Sequence, residues 1–355
     1  MINRKLCITA LIIALVSAMT AAGCSKSKAG GKTADSKTGG KTANSKTDNG
    51  NSGGWTDAGR IFSNSDTIYA LAYGKDKFVA SGGIFGQIAT STDGSEWTTI
   101  NIGNVGITAI AYGKNKFVAG GADDSLVINE ENRGIITSTD GVTWKQIEDS
   151  KINFGIFAIT FGKDKFVAGG ENGKMAYSPD GLKWTAVKDS TLGAINIIAI
   201  AYGGNRFVAL GNDDSDNCKM ASSKDGVTWT AVNDSKLGKS LIKTIAYGKD
   251  RFIAGNLKGE IAISKDGVKW TAADAIGFGV TSIIWDNNKF VAVGNEIGDR
   301  YNHNFKMATS KDGAKWTTVT DSTIDNYIVW VIAADGKGMF VAGGEGGRIW
   351  YLTGK

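Results

Sequence analysis

From residue 55 onward, short apolar bursts recur in a fixed order, separated by Gly-rich or Asp-Gly turns. One unit reads "ITAIAYGKNKFVAGG…GIITSTDGVTWKQI". It contains four runs of strand character. Run A, "ITAIAY", is apolar on both faces, as a strand covered on both sides must be. Run B is "KFVAGG", run C is "GIITS", and run D begins at the Trp, "WKQI". The turn from A to B reads "GKNK" or "GKDK". The turn from C to D carries Asp-Gly, a strong hairpin signal because Gly takes positive φ without steric cost.

The C–D turn recurs as a Ser-x-Asp-Gly-x-x-Trp box: "STDGSEW" (91–97), "STDGVTW" (138–144), "SPDGLKW" (178–184), "SKDGVTW" (223–229), "SKDGVKW" (264–270) and "SKDGAKW" (310–316). The run B aromatic recurs seven times, at Phe78, Phe117, Phe166, Phe207, Phe252, Phe290 and Phe340. Four antiparallel strands at a period of roughly 40–45 residues, repeated seven times, predict an all-β, seven-bladed β-propeller. A linear stack would leave two open ends that need caps, and no capping segment is visible. The seventh A–B–C set ends at "GRIWYLTGK" without a box or a D run. Trp55, 42 residues before Trp97, continues the box Trp series backwards. The strand at 55–61, "WTDAGRI", is therefore expected to pair with the C-terminal "RIWYL" and close the ring, satisfying both free edges.

Composition agrees with many tight hairpins: Gly is abundant at 49 and Pro occurs once, so Gly, Asn and Asp must build the turns. The formal net charge of +5 is unevenly placed. Residues 25–53 hold six Lys against two Asp, and Arg4 and Lys5 add two more, which leaves −1 for residues 54–355. A near-neutral body gives no support to nucleic-acid binding. Residues 25–53 contain "GGKTADSKT" followed directly by "GGKTANSKT". Such a tract cannot bury a core and is expected to be a disordered tether with a typical span of about 30 Å.

The N-terminus runs from basic "MINRK" through apolar "LCITALIIALVSAM" to "TAAGC", the order of a secretory signal. The "AAGC" end resembles the lipobox of bacterial lipoproteins. The resemblance implies cleavage after residue 23, lipidation of Cys24, and an extracytoplasmic, membrane-anchored place in the cell envelope. The organisation expected is a signal peptide over 1–23, a lipidated Cys and tether over 24–54, and a propeller over 55–355. Cys218 then remains as the single thiol of the body, so no intrachain disulfide is expected. Its neighbours "DNCKM" include no His to activate it.

The boxes resemble the Asp-box, or BNR, repeats of sialidase-like propellers and of photosystem II assembly factors. Each box here is one residue shorter between Asp and Gly. That resemblance implies the fold; function must be read from what differs between blades. The repeated acids Asp93, Asp140, Asp180, Asp225, Asp266 and Asp312 read as turn-makers. A sialidase-like glycosidase would need an Arg triad, a Tyr–Glu pair and an acidic Asp. It would also carry a Phe-Arg-Ile-Pro signature, and "GRIF" at 59–62 is not that signature. The reading is not an enzyme, with no cofactor and no metal.

The boxes and A–B turns lie on one face of a propeller, and the B–C and D–A loops on the other. The B–C loops of blades 2, 4 and 6 are the long ones: "GGADDSLVINEENRG", "GNDDSDNCK" and "GNEIGDRYNHNFK". Long loops on a rigid scaffold are where binding usually sits. Arg206 and Arg251 replace the repeat's Lys in the A–B turn, whereas Arg60, Arg133, Arg300 and Arg348 map to the loop face. These four either grip an anionic ligand or pair with carboxylates of their own loops, Arg348 with Glu345 among them. Tyr301 and His303, beside Phe305, form a candidate contact patch. Asp213 and Asp214, in "NDDSD", are candidate ligand contacts without the spacing of a known calcium loop. Tyr69, Phe157 and Trp330 occupy a corresponding place in run A, where they line or pack the central channel. The expected role is a monomeric binding module, anchored to the membrane, for an envelope protein or glycan. An envelope assembly factor is the second reading and a glycosidase the third.

Overall fold

The computed structural model describes residues 54–353, apart from 64–65, 83–85, 104–105, 122–133, 148–149, 151, 298–303, 320–323 and 325. Twenty-eight strands, numbered in chain order, form seven four-stranded antiparallel sheets, each in simple A–B–C–D order from the centre outward. The inner strands are β2 (Ile68–Gly74), β6 (Ala109–Gly113), β10 (Ile156–Gly162), β14 (Asn196–Gly203), β18 (Ile242–Gly248), β22 (Gly279–Asp286) and β26 (Val329–Ala334). Each lies against the inner strands of both flanking blades, so the ring is complete. Closure follows the expected route. In blade 7, β26, β27 (Met339–Gly344) and β28 (Arg348–Thr353) are joined by the N-terminal β1 (Thr56–Arg60). The β1–β28 register pairs Thr56 with Tyr351, Asp57 with Trp350, Gly59 with Ile349 and Arg60 with Arg348.

The core lies between blades. Seven clusters of buried apolar side chains fill the seven blade interfaces. The run B Phe residues from Phe78 to Phe290 are fully buried within them. Trp55 is buried between blades 6 and 7, edge-on to Phe305 with ring centroids 5.7 Å apart. The box Trp residues end the turn rather than start the strand: D strands begin one residue later, as in Thr98–Asn101 and Thr230–Val232.

The A–B turns of blades 1 to 6 have both central residues at positive φ, as at Lys163 (44°) and Asp164 (60°), which matches the twist of a two-residue hairpin. A non-Gly residue there costs about 1–2 kcal/mol. Lys163 compensates by reaching the next blade, its Nζ donating to Lys224 O at 2.9 Å, and Lys165, the first residue after the turn, adds a bond from Nζ to Asp225 O at 2.8 Å. Arg251 does the same with Asp312 O at 3.0 Å, whereas Arg206 turns to Ser222 of its own blade. The Gly that ends run A has a steric cause. A Cβ on Gly203 would stand 1.9 Å from the Tyr247 ring of the next blade. Blade 6 has Asp286 at this place, and blade 7 offers Ala334 where the others offer an aromatic. The missing ring leaves room for the carboxylate.

Candidate functional site: the loop face and the channel mouth

The box carboxylates are occupied. Asp225 Oδ1 accepts from the N–H groups of Val227 and Thr228, both at 2.8 Å, and from the Ser223 hydroxyl at 2.9 Å. Gly226 adds its N–H to Ser223 Oγ at 2.8 Å. The same bonds recur at Asp93, Asp140, Asp180, Asp266 and Asp312. At Asp225 partial burial raises the carboxyl, and the backbone donors outweigh it, giving a pKa of about 2. The other five carboxyls are likewise held below the usual range. Groups ionised at every physiological pH and saturated with donors are unsuited to proton transfer.

Strand direction places the boxes and A–B turns on one face and the starts of the inner strands on the other. Near that second, loop-side end, six of the seven inner strands carry a β-bulge. The extra residues are Tyr69, Phe157, Ile198, Lys243, Thr281 and Trp330; Thr108 holds the equivalent place in blade 2. A bulge re-aims one side chain out of the pleat. Thr281 turns its hydroxyl to Val329 O at 2.8 Å. Lys243 instead extends to Trp330, with Nζ 5.8 Å from the ring centroid. Lys243 belongs to blade 5 and Trp330 to blade 7, with blade 6 between them, so they meet inside the channel.

The electrostatics of this end are simple. Lys243 and Asp286 are the only charged residues on the seven inner strands. Asp286 sits at the opposite end, beside Lys289 and Asp335. Lys243 has no ion pair with a described carboxylate, and burial holds its ammonium below the ordinary lysine range. Lys243 is half-buried, so its ammonium is only partly withdrawn from water, and the Trp330 ring offsets part of that cost. Among the described residues, the Trp330 indole N–H is buried without an acceptor.

Ring closure brings Arg60 and Arg348 together as directly opposed residues of β1 and β28. Arg348 forms an ion pair with Asp57 on the closing strand and stacks 4.9 Å from the Tyr327 ring centroid. Its partner thus comes from across the closure, while its own loop offers Glu345, whose carbonyl accepts the Arg348 backbone N–H at 3.4 Å. Arg60 is exposed and has no ion pair with a described acid. Arg133, Arg300, Tyr301, His303 and Cys24 lie outside the described residues. Asp213 Oδ1 accepts the N–H groups of Ser215 at 3.0 Å and Asn217 at 2.9 Å, and Lys219 lies 3.5 Å from Oδ2. It organises its own loop, and Asp214 beside it is exposed. Burial pushes the Cys218 thiol up to about 11. Among the described residues no group of three or more His, Cys, Asp or Glu could hold a metal ion. Sequence reasoning singled out Tyr69, Phe157 and Trp330 but passed over Lys243. The available signal was its place as the one cation inside an otherwise uncharged run A.

Residues 178–327 match the family model of the DUF6242 beta propeller domain. No curated protein sequence matches the chain. Among solved structures, YCF48 from Cyanidioschyzon merolae is similar with a TM-score of 0.62 at 13% identity, over 84% of this chain and 98% of that one. YCF48 bound to D1 peptide gives 0.64 at 16%, over 85% and 97%. Virginiamycin B lyase from Staphylococcus aureus gives 0.65 at 11%, over 81% and 95%. At such identities the likeness is one of fold, shared by binding proteins and an enzyme alike.

Proposed function

We propose that this protein is a non-catalytic binding module that holds a segment of a protein partner on its loop face, over the mouth of the central channel. One observation carries the reading: the repeat's carboxylates are all consumed by turns, whereas the loop-side mouth presents a cation that pairs with no described carboxylate and lies against an aromatic ring. Chemistry of recognition is present there, and a constellation for bond cleavage is absent among the described residues. A similar propeller bound to a peptide supports a protein partner over a glycan. An assembly role differs from this one only in what the bound segment belongs to.

The anchoring expected from "AAGC" completes the proposal. Lipid on Cys24 would hold the propeller near a membrane by the tether, in the cell envelope. Incorporation of labelled palmitate, abolished in Cys24→Ala, tests that part. Photo-cross-linking in cells tests the binding face. A benzophenone side chain at Asp214, on the loop face, is expected to give a discrete protein adduct. The same group at Lys183, on the box face, is expected to give none. Adducts from both faces, or from Lys183 alone, would sink the assignment.

A further inference from the structure

We infer that the channel mouth is a carboxylate-binding site, in which Lys243 meets the anion and Trp330 covers the apolar body that bears it. This rests on the loop-face reading and names the chemistry the face selects. Three observations converge. The bulge in β18 turns Lys243 away from its own sheet, between buried Ile242 and buried Thr244. The ammonium crosses the channel to an aromatic ring two blades away instead of finding a carboxylate. The equivalent places in other blades hold Tyr69, Phe157, Ile198, Thr108 and Thr281, so among the described residues this ring of the wall is aromatic, aliphatic or hydroxyl-bearing and carries no acid.

An ammonium has three donors, and its contact with Trp330 engages none of them as a hydrogen bond. A carboxylate accepts such donors at short range and in low dielectric, where a charge-assisted bond is strong. A phosphate, with more charge to desolvate, fits a single lysine poorly, since no described arginine or second lysine lies on the inner strands. The ligand class is a carboxylate on an aromatic or aliphatic body. Two sources share that chemistry: the free C-terminus of a peptide and a small apolar acid.

The experiment titrates the full chain by calorimetry with 3-phenylpropionate and with its uncharged amide. In parallel it uses a hexapeptide ending in Phe, as free acid and as amide. Both acids, or either one, are expected to bind at least about tenfold more tightly than the matching amide. Lys243→Met should erase that preference while leaving the thermal midpoint at or above wild type. Lys243→Arg should retain the preference, and Trp330→Leu should weaken acids and amides alike. Binding of the peptide acid tighter than the small acid assigns the site to a chain end; the reverse assigns it to a free acid. Equal affinity for acid and amide, no binding of either acid, or a preference that survives Lys243→Met overturns the inference. None of those results would alter a loop-face cross-link, so the two proposals fail separately.

Discussion

Trp55→Ala is the most informative single change, because it removes the anchor of ring closure without touching a strand hydrogen bond. Trp55 is 4% exposed and lies in one cluster with Phe305, Met307, Val329, Phe340 and Trp350, side chains from blades 6 and 7. A buried Trp withdraws roughly 200 Å² from water, about 5 kcal/mol at 25 cal/mol/Å² as an upper figure. Measured Trp→Ala costs in cores run about 3–5 kcal/mol, so about 4 kcal/mol is expected. For a chain of this size that is a fall of roughly 8 °C in thermal midpoint. Far-UV circular dichroism in urea would follow it, with Trp316→Ala, a half-buried box Trp, as comparison at about half the cost. Deleting residues 55–61 should be worse still, because β28 then loses all its β1 partners; deleting 25–53 should cost almost nothing. A loss below about 1.5 kcal/mol for Trp55→Ala, or one no larger than for Trp316→Ala, would refute closure as the source of stability.

Further outcomes follow from the same geometry. Asp225 is held at about 2, below its ordinary 3.8, so its contribution is present above that ordinary value and fades as pH falls toward 2. After allowance for solvent screening, Asp225→Asn should cost about 1 kcal/mol at pH 7 and progressively less through pH 3, read as thermal midpoints. Asp286 has the opposite sign: burial and the Asp335 charge raise its pKa, so its ionised form strains the fold above that raised value. Asp286→Asn should therefore stabilise at pH 7, by about 1 kcal/mol, and the gain should vanish on acidification. Lys163→Gly relieves a left-handed residue while losing the bond to Lys224 O, so unfolding should shift by less than about 1 kcal/mol, and Lys163→Ala should cost more. With its thiol near 11, Cys218 should alkylate at pH 8 about a hundredfold more slowly in the native protein than in urea, measured by peptide mass mapping.

The repeat, the blade count and the closing strand were legible in the sequence because each is a periodicity, and periodicity survives without coordinates. The box turns were legible for the same reason: Ser, Asp and Gly at fixed offsets dictate local hydrogen bonds. Lys243 was legible only as a lone cation in run A; its reach into the channel was not, because a bulge is a property of two strands in register. The partner of Arg348 was misjudged for a related reason. Loop neighbours suggested Glu345, whereas closure supplied Asp57 from 291 positions away. Asp286 becomes intelligible only when Ala334 is laid beside it, a pairing between blades rather than within one.

The closing strand also decides how the molecule carries a load. The chain enters the propeller at Trp55, on the box side, and β1 runs from there toward the loop face. Tension between the N-terminal segment and anything gripped at the loop face therefore acts along β1, parallel to β28. The register pairs from Thr56–Tyr351 to Arg60–Arg348 are then strained together in shear instead of opening one after another as in a peel. Forced unfolding is governed by the barrier to the first rupture, and shear raises that barrier by making the bonds yield at once. Pulled from that end, the ring would behave as a lock, with Trp55 as its bolt.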